Sequence, residues 1–138
     1  SEKLISWAGS HFEDTTFASA RFGNVIETKG NVFEIWKDEL EKNKPLSITH
    51  PDMTRYFFHI DEAVNFLLNC LIIMKNGELF IPKMKSFKVK ELANKISKNH
   101  KIIGLRQGEK MNEVLISDEE KKLGKEHNDM WIVRLYNN

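Results

Sequence analysis

A chain of 138 residues with a formal net charge of +1 and 41% hydrophobic residues is long enough for one packed core or part of a larger domain, and it has no basic field to draw nucleic acid. Cys70 is the only cysteine, which excludes an internal disulfide; its neighbours Leu68, Leu71 and Ile72 suit a buried thiol in a reducing compartment, so a cytoplasmic location is expected. The longest apolar run, residues 63–74, is broken by Asn65 and Asn69 and falls short of the ~20 residues of a membrane span, and no basic, apolar leader opens the chain.

Residues 1–9 place Leu4, Ile5 and Ala8 at helical spacing and stop at Gly9, the tail of a helix. A chain that opens in mid-helix without Met is expected to be a fragment. Residues 16–22 alternate as a strand ending at Gly23-Asn24. Asn24 offers a donor and an acceptor beyond the carboxyl end of that strand, where α/β sheets bind ligands. Gly30-Asn31 precedes Val32, Phe33, Trp36 and Leu40, one face of an amphipathic helix capped by Asn31, with first-turn amides that favour an anion. Residues 46–49 read as a strand, 50–52 as a turn and 53–60 as an aromatic strand that carries Arg55. A core strand rarely holds an unpaired arginine, so Arg55 points to solvent or meets an anion at a pocket wall. His59 on that strand reads as a satisfied core histidine.

Asp61 is expected to cap a helix over 62–75 that is apolar nearly all round and therefore packed on several sides. Asn76-Gly77 ends it, and residues 78–81 form a strand closed by Pro82, a helix-then-parallel-strand unit. Val89, Leu92, Ala93 and Ile96 give a helix over 86–99 one apolar face, leaving its lysines solvated. A short β run over 101–105 then hands over to Arg106-Gln107-Gly108-Glu109-Lys110, a turn in which Gly108 supplies permissive backbone and Glu109 and Lys110 open a helix. Such a turn can aim a guanidinium that grips two phosphate oxygens and a carboxylate that accepts both hydroxyls of a ribose; an ordinary solvated turn is the alternative. Ser117 and Glu120 form a capping box for a short helix, and residues 130–136 alternate as a terminal strand.

The five histidines have no metal-ligand spacing, and no G-x-S-x-G elbow, Walker loop or G-x-G-x-x-G turn occurs, so no catalytic or metal residue is assigned. Carboxylate pairs such as Glu39 and Glu41 lie in charged helical runs. What remains is Asn24, Arg55, Arg106 and Glu109, a set suited to binding a nucleoside diphosphate rather than to performing chemistry on it.

Arg21-Phe22-Gly23-Asn24-Val25 is similar to the Arg-Tyr-Gly-Asn-Val motif of extended short-chain dehydrogenases/reductases acting on UDP-N-acetylglucosamine. Further stretches match in order: Gly30-Asn31-Val32, Pro45 to Thr49, Pro51-Asp52-Met53-Thr54-Arg55-Tyr56, Gly77 to Lys83, and Arg106-Gln107-Gly108-Glu109-Lys110-Met111-Asn112-Glu113. Together they span nearly the whole chain, which resembles the C-terminal portion of the UDP-N-acetylglucosamine 4,6-dehydratases (inverting type) of capsular polysaccharide and flagellin-sugar biosynthesis. The resemblance implies an α/β fold: the last strands of an incomplete Rossmann domain plus the small substrate-binding lobe, with residues 1–138 as a single C-terminal fragment. It implies that Asn24, Asn31 and Val32 face the sugar nucleotide, that Ile48 and Thr49 border the uracil, that Arg55 and Arg106 contact the diphosphate and that Glu109 holds the ribose. Family members oxidise C4 of the sugar with NAD(P), eliminate water across C5 and C6 and return the hydride to C6. The cofactor turn and the acid/base residues of the family lie upstream of the matched part, so Lys3 is not the catalytic lysine, and the isolated chain is expected to bind no NAD(P) and to be inactive. A homo-oligomeric parent is also implied. Four positions depart from the pattern: Gln107 replaces Pro, Phe22 replaces Tyr, Lys29 stands for Arg and Asn31 for Ser. Gln107 loosens the turn that aims Arg106, and Lys29 lacks the planar fork of arginine.

Two other readings accommodate the same residues. One is a stand-alone module that binds nucleotide sugars. The other is a protein-interaction domain in which Arg55 and Arg106 are structural and Phe57, Phe58 and Trp131 meet a partner.

Overall fold

In the computed structural model, which describes residues 1–136, the order of elements is α1 (Glu2–His11), β1 (Ala18–Ala20), β2 (Asn24–Val25), α2 (Val32–Glu41), β3 (Leu46–Ile48), β4 (Thr54–Phe58), α3 (Ile60–Ile73), β5 (Glu78–Pro82), β6 (Ser86–Lys88), α4 (Val89–Ile96), β7 (His100–Ile102), α5 (Asp118–Leu123), β8 (Gly124–His127) and β9 (Met130–Arg134). They fall into two compact units. The first comprises residues 1–22, 61–83 and 114 onward; the second comprises Gly23–Ile60 and Met84–Glu113.

The first unit is a four-stranded sheet in the order β1-β5-β9-β8. Strand β5 is buried along its whole length because it is paired on both edges, parallel to β1 and antiparallel to β9. A continuous apolar run, Leu79-Phe80-Ile81, is what such a strand requires. Leu79, Ile81 and Val133 form the core, with Trp131, Leu115 and Ile116 packed against them. Glu78 at the start of β5 is buried too, and its carboxylate accepts from Arg134 Nη2 at 3.2 Å and from the Lys75 amide at 2.8 Å. The second unit joins three strands in the order β2-β4-β6 and a parallel pair, β3 with β7. Its core is Trp36, Leu46, Ile48, Met53, Val89 and Ala93. The Trp36 indole N–H is satisfied by the Ser47 carbonyl at 2.8 Å.

Helix α1 does not stop at Gly9 but runs to His11. Gly9 is inside the helix because a Cβ there would lie 2.2 Å from the Gly77 amide nitrogen, so the absent side chain permits a close backbone approach rather than a left-handed cap. Strand β1 is three residues rather than seven. The helix expected over 86–99 begins at Val89, since Ser86–Lys88 pair antiparallel with β4, and it ends at Ile96, since His100–Ile102 pair with β3. Pairing partners distant in sequence override local helical periodicity at both ends. Helix α3 starts at Ile60, with Asp61 inside its first turn, and buries Ala63, Phe66 and Cys70 alone. Val64, Leu67, Leu68, Leu71 and Ile72 are exposed, so among the described residues its all-round apolar character is matched by packing on one side only. His59 is also exposed rather than in the core. Glu109 and Lys110 open no helix; residues 107 and 108 form a turn. Strand β8, read from no sequence signal, forms a hairpin with β9 through Asn128, whose φ is 49°, and Asp129.

Arg21 ties the first unit together. Its Nε and Nη2 donate to Glu2 at 2.9 and 2.6 Å, its Nη1 to the Leu115 carbonyl and to Glu120 at 2.9 Å each, and its Nη2 also to Glu120 at 2.8 Å. All five N–H donors of the guanidinium are therefore used. Glu120 meanwhile completes the capping box of α5 with Ser117. These hydrogen bonds from Arg21 lower the pKa of Glu2 and pull that of Glu120 down to about 2, against the opposing effect of burial.

Two outcomes follow for stability. Carboxylates depressed in the folded state contribute stability that is complete above about pH 4.5 and is lost as pH falls toward 2. Thermal melts should therefore be flat from pH 7 to 5.5 and fall steeply below 4.5, and Glu120→Gln should cost about 1–2 kcal/mol at pH 7, solvent screening included, while flattening the acid limb. An acid limb unchanged in the variant would contradict this account of the clamp. Gly9→Ala should lower the melting temperature by an amount equivalent to about 2 kcal/mol or more, on the order expected for a forced backbone shift; an unaltered melt would contradict the close approach.

Candidate functional site

The second unit carries a hollow of about 200 Å³ lined by Asn24, Gly30, Asn31, Val32, Ile35, Thr49, Met53, Arg55, Phe57, Val89, Arg106 and Glu109. Seven of the eight residues named from the sequence, Asn24, Asn31, Val32, Thr49, Arg55, Arg106 and Glu109, are thus brought to one place. Ile48 is the exception: its side chain is fully buried beside Trp36 and Leu46, and its carbonyl accepts from the Ile103 amide at 2.9 Å. The residue adjoining the hollow is Thr49, just after that strand.

Each wall has a local cause. Asn24 follows Gly23, where a Cβ would lie 2.5 Å from Tyr56 Cβ; glycine lets the chain press against β4, and Asn24 Nδ2 donates to the Tyr56 carbonyl at 3.2 Å. Asn31 caps α2, its Oδ1 accepting from the Phe33 and Glu34 amides at 2.8 and 3.1 Å. Those two amides are consequently taken, so the anion-binding character expected of this helix start is largely spent on its own cap. The cationic groups that remain at the hollow are the two arginines.

Arg55 lies on β4 with its side chain only 12% exposed. Its Nη1 donates to the Thr54 carbonyl at 2.8 Å and the Met111 carbonyl at 3.2 Å, while Glu109 and Glu113 stand 3.5 and 3.4 Å from Nη2 and Nε. Neither solvent nor a bare core surrounds it. The loop that carries Arg106 is laid onto β4 by a bridge between Thr54 and Asn112, in which the Thr54 amide donates to the Met111 carbonyl at 3.1 Å and Thr54 Oγ1 bonds Asn112 Oδ1 at 2.7 Å. Within that loop the Glu109 amide donates to the Arg106 carbonyl at 3.0 Å, and Glu109 Oε2 accepts from the Arg106 amide at 3.1 Å. Gly108, at φ 80°, is the residue that lets the loop close. Among the described residues no hydrogen bond or ion pair engages the Arg106 guanidinium.

The opposite character comes from Val32, Ile35, Met53, Phe57 and Val89, an apolar wall in which Phe57 meets Phe33 edge-on at 5.3 Å. Of these, sequence reasoning picks out Val32 alone. A signal for Met53 and Phe57 exists: they flank Arg55 at i−2 and i+2, so a strand places all three on one face. A hollow with two guanidiniums, a carboxylate, amide side chains and an aromatic wall can hold an anion and a flat ring together.

No described group of three or more His, Cys, Asp or Glu side chains could hold a metal ion. The β4–α3 and β6–α4 junctions contain no glycine, and Gly30, between β2 and α2, gives its amide to Glu34, so none of these turns cradles a dinucleotide pyrophosphate. Cys70 is buried with its thiol pushed up to about 11 by burial, an inert group at neutral pH.

Residues 1–135 match the family described as Polysaccharide biosynthesis protein. The chain belongs to this family. Relatives include a protein of Methanocaldococcus jannaschii named as an uncharacterized membrane protein, 38% identical over 135 residues, of which 88% of this chain and 40% of the relative are covered. Another is a UDP-N-acetylglucosamine 4,6-dehydratase (inverting) of Campylobacter jejuni, 36% identical over 124 residues, covering 88% of this chain and 37% of that one. The chain thus spans about two fifths of the length of these family members. A solved structure, Pen from Bacillus thuringiensis, superposes with a TM-score of 0.88 at 30% identity over 96% of this chain and 45% of its own. The α/β fold is accordingly that of part of an extended short-chain dehydrogenase/reductase. No described helix is long and apolar enough to cross a membrane.

Because Asn31 both caps α2 and lines the hollow, Asn31→Ala should cost about 1 kcal/mol in thermal stability whereas Asn31→Ser, which keeps a side-chain oxygen to accept from the first-turn amides, should cost little. Equal losses for both variants would contradict the capping role.

Proposed function

We propose that this hollow is the nucleotide-sugar site of a UDP-N-acetylglucosamine 4,6-dehydratase in surface polysaccharide biosynthesis. The observation that carries the reading is the convergence of Arg55 and Arg106, drawn from distant points of the chain, with Glu109 on one cavity that also has an aromatic wall. Arg106 supplies an unengaged fork and Arg55 an anchored one for the two phosphates. Glu109 accepts ribose hydroxyls with the lone pairs left over from its bond to the Arg106 amide. Thr49 and Phe57 border the base, and Asn24 with the start of α2 faces the sugar.

In the whole protein the activity is dehydration of the sugar with NAD(P) as the hydride carrier, in the cytoplasm, by a homo-oligomer. The 138 residues contribute substrate contacts and neither the dinucleotide turn nor an acid/base pair, so the chain alone is expected to produce no dehydrated sugar from UDP-N-acetylglucosamine and NAD(P).

Calorimetry with UDP, UDP-N-acetylglucosamine and uridine tests the site itself. The chain should bind UDP more tightly than uridine, and Arg106→Ala should weaken UDP about 10- to 100-fold, on the order of 1.5–3 kcal/mol, while barely affecting uridine. Equal binding of UDP by wild type and variant would contradict the phosphate role of Arg106 and favour an interaction surface.

A further inference from the structure

If the hollow takes a nucleoside diphosphate, the reading on which this inference rests, then Arg55 is a phosphate ligand fixed from one side only. Both protons of Nη1 are committed to the carbonyls of Thr54 and Met111, which sets the plane and direction of the guanidinium without help from any carboxylate. The Nε and Nη2 edge is different. Glu113 Oε1 lies 3.4 Å from Nε and Glu109 Oε1 3.5 Å from Nη2, well beyond the roughly 2.7–2.9 Å of a charge-assisted hydrogen bond. Arg21 shows the contrast within the same chain, meeting Glu2 at 2.6 Å. Glu109 and Glu113 therefore neutralise Arg55 and leave its fork unfilled.

The two carboxylates are not equivalent. Glu109 lines the hollow and closes the 106–109 turn, so its removal disturbs Arg106 as well. Glu113 does not line the hollow and is 40% exposed, and its contact with Arg55 is purely one of charge. We propose that Glu113 is a counterweight to Arg55: it compensates the guanidinium while the hollow is empty and repels the diphosphate when one arrives, holding affinity for phosphorylated ligands below what the two arginines would otherwise give. Enclosing an arginine side chain to 12% exposure without a counter-charge is costly, which accounts for a carboxylate there before any ligand binds. Once two phosphates supply that charge, Glu113 is a like-charge neighbour a few ångströms away. Since the carbonyls of Thr54 and Met111 hold the orientation, the repulsive effect outweighs any positioning benefit. A site so balanced releases its nucleotide readily.

The test is calorimetry with UDP and with uridine on the 138-residue chain, wild type against Glu113→Gln, Glu113→Ala and Glu113→Asp, at low and high salt. Removing the charge by either Gln or Ala should tighten UDP about three- to tenfold and leave uridine unchanged, with the gain shrinking as salt rises. Asp should stay within about twofold of wild type. A role limited to holding the fold together predicts the opposite sign, weaker UDP in Gln and Ala. Equal or weaker UDP binding by both charge-removing variants, or an equal gain for uridine, overturns the counterweight while leaving the nucleotide site standing. No UDP binding by wild type or any variant overturns the nucleotide reading and this inference with it.

Discussion

The largely enclosed side chain of Arg55 is the constraint around which the second unit is arranged. A strand can carry an arginine with little solvent contact only if acceptors meet it, and here the carbonyls of Thr54 and Met111 do so. Met111 is available because residues 111 and 112 are laid beside β4 by the Thr54–Asn112 bridge. That same attachment delivers Arg106 and Glu109 to the hollow. The loop that carries Arg106 is therefore not a separate appendage with its own geometry; it is positioned by the solution to one burial problem, and its turn is closed locally by Gly108 and by the two hydrogen bonds between residues 106 and 109.

The first unit solves a different problem with the same side chain type. Arg21 has no backbone pair to lock it, so two carboxylates close around it at hydrogen-bond distance and help saturate every donor. The result is a structural tie. Arg55, by contrast, keeps one edge of its fork merely neutralised. Distances of 2.6 Å in one case and 3.4 and 3.5 Å in the other are what separate an arginine that stabilises from one able to exchange partners.

Much of this was legible in the residues. The cap at Asn31, the capping box at Ser117 and Glu120, the buried strand at Leu79 to Ile81 and the buried Cys70 all obey local rules, and local rules held there because no distant partner competed. Distant pairing is where reading from sequence gave out. Residues 86–88 fall inside the helix expected over 86–99, yet β4 claims them; Gly9 looks like a helix stop, yet Gly77 explains it; β8 is polar and short and becomes a strand only because β9 is its neighbour. At the site, Arg55, Arg106 and Glu109 could be nominated by chemistry alone. The carbonyl acceptors of Arg55 and the placement of Glu113 could not, because backbone groups have no sequence signature and Glu113 looks like any surface carboxylate. Ile48, assigned to the site only through the resemblance, lies in the core because alternation along β3 puts it on the same buried face as Leu46.

The central claim is geometric: two guanidiniums from well-separated stretches of the second unit's sequence serve one diphosphate. A crystal structure of the chain with UDP tests it most directly. The account predicts phosphate oxygens within about 3 Å of the Nε or Nη2 of Arg55 and of the Arg106 guanidinium; UDP bound elsewhere, or bound in the hollow with its phosphates turned away from both arginines, would contradict it.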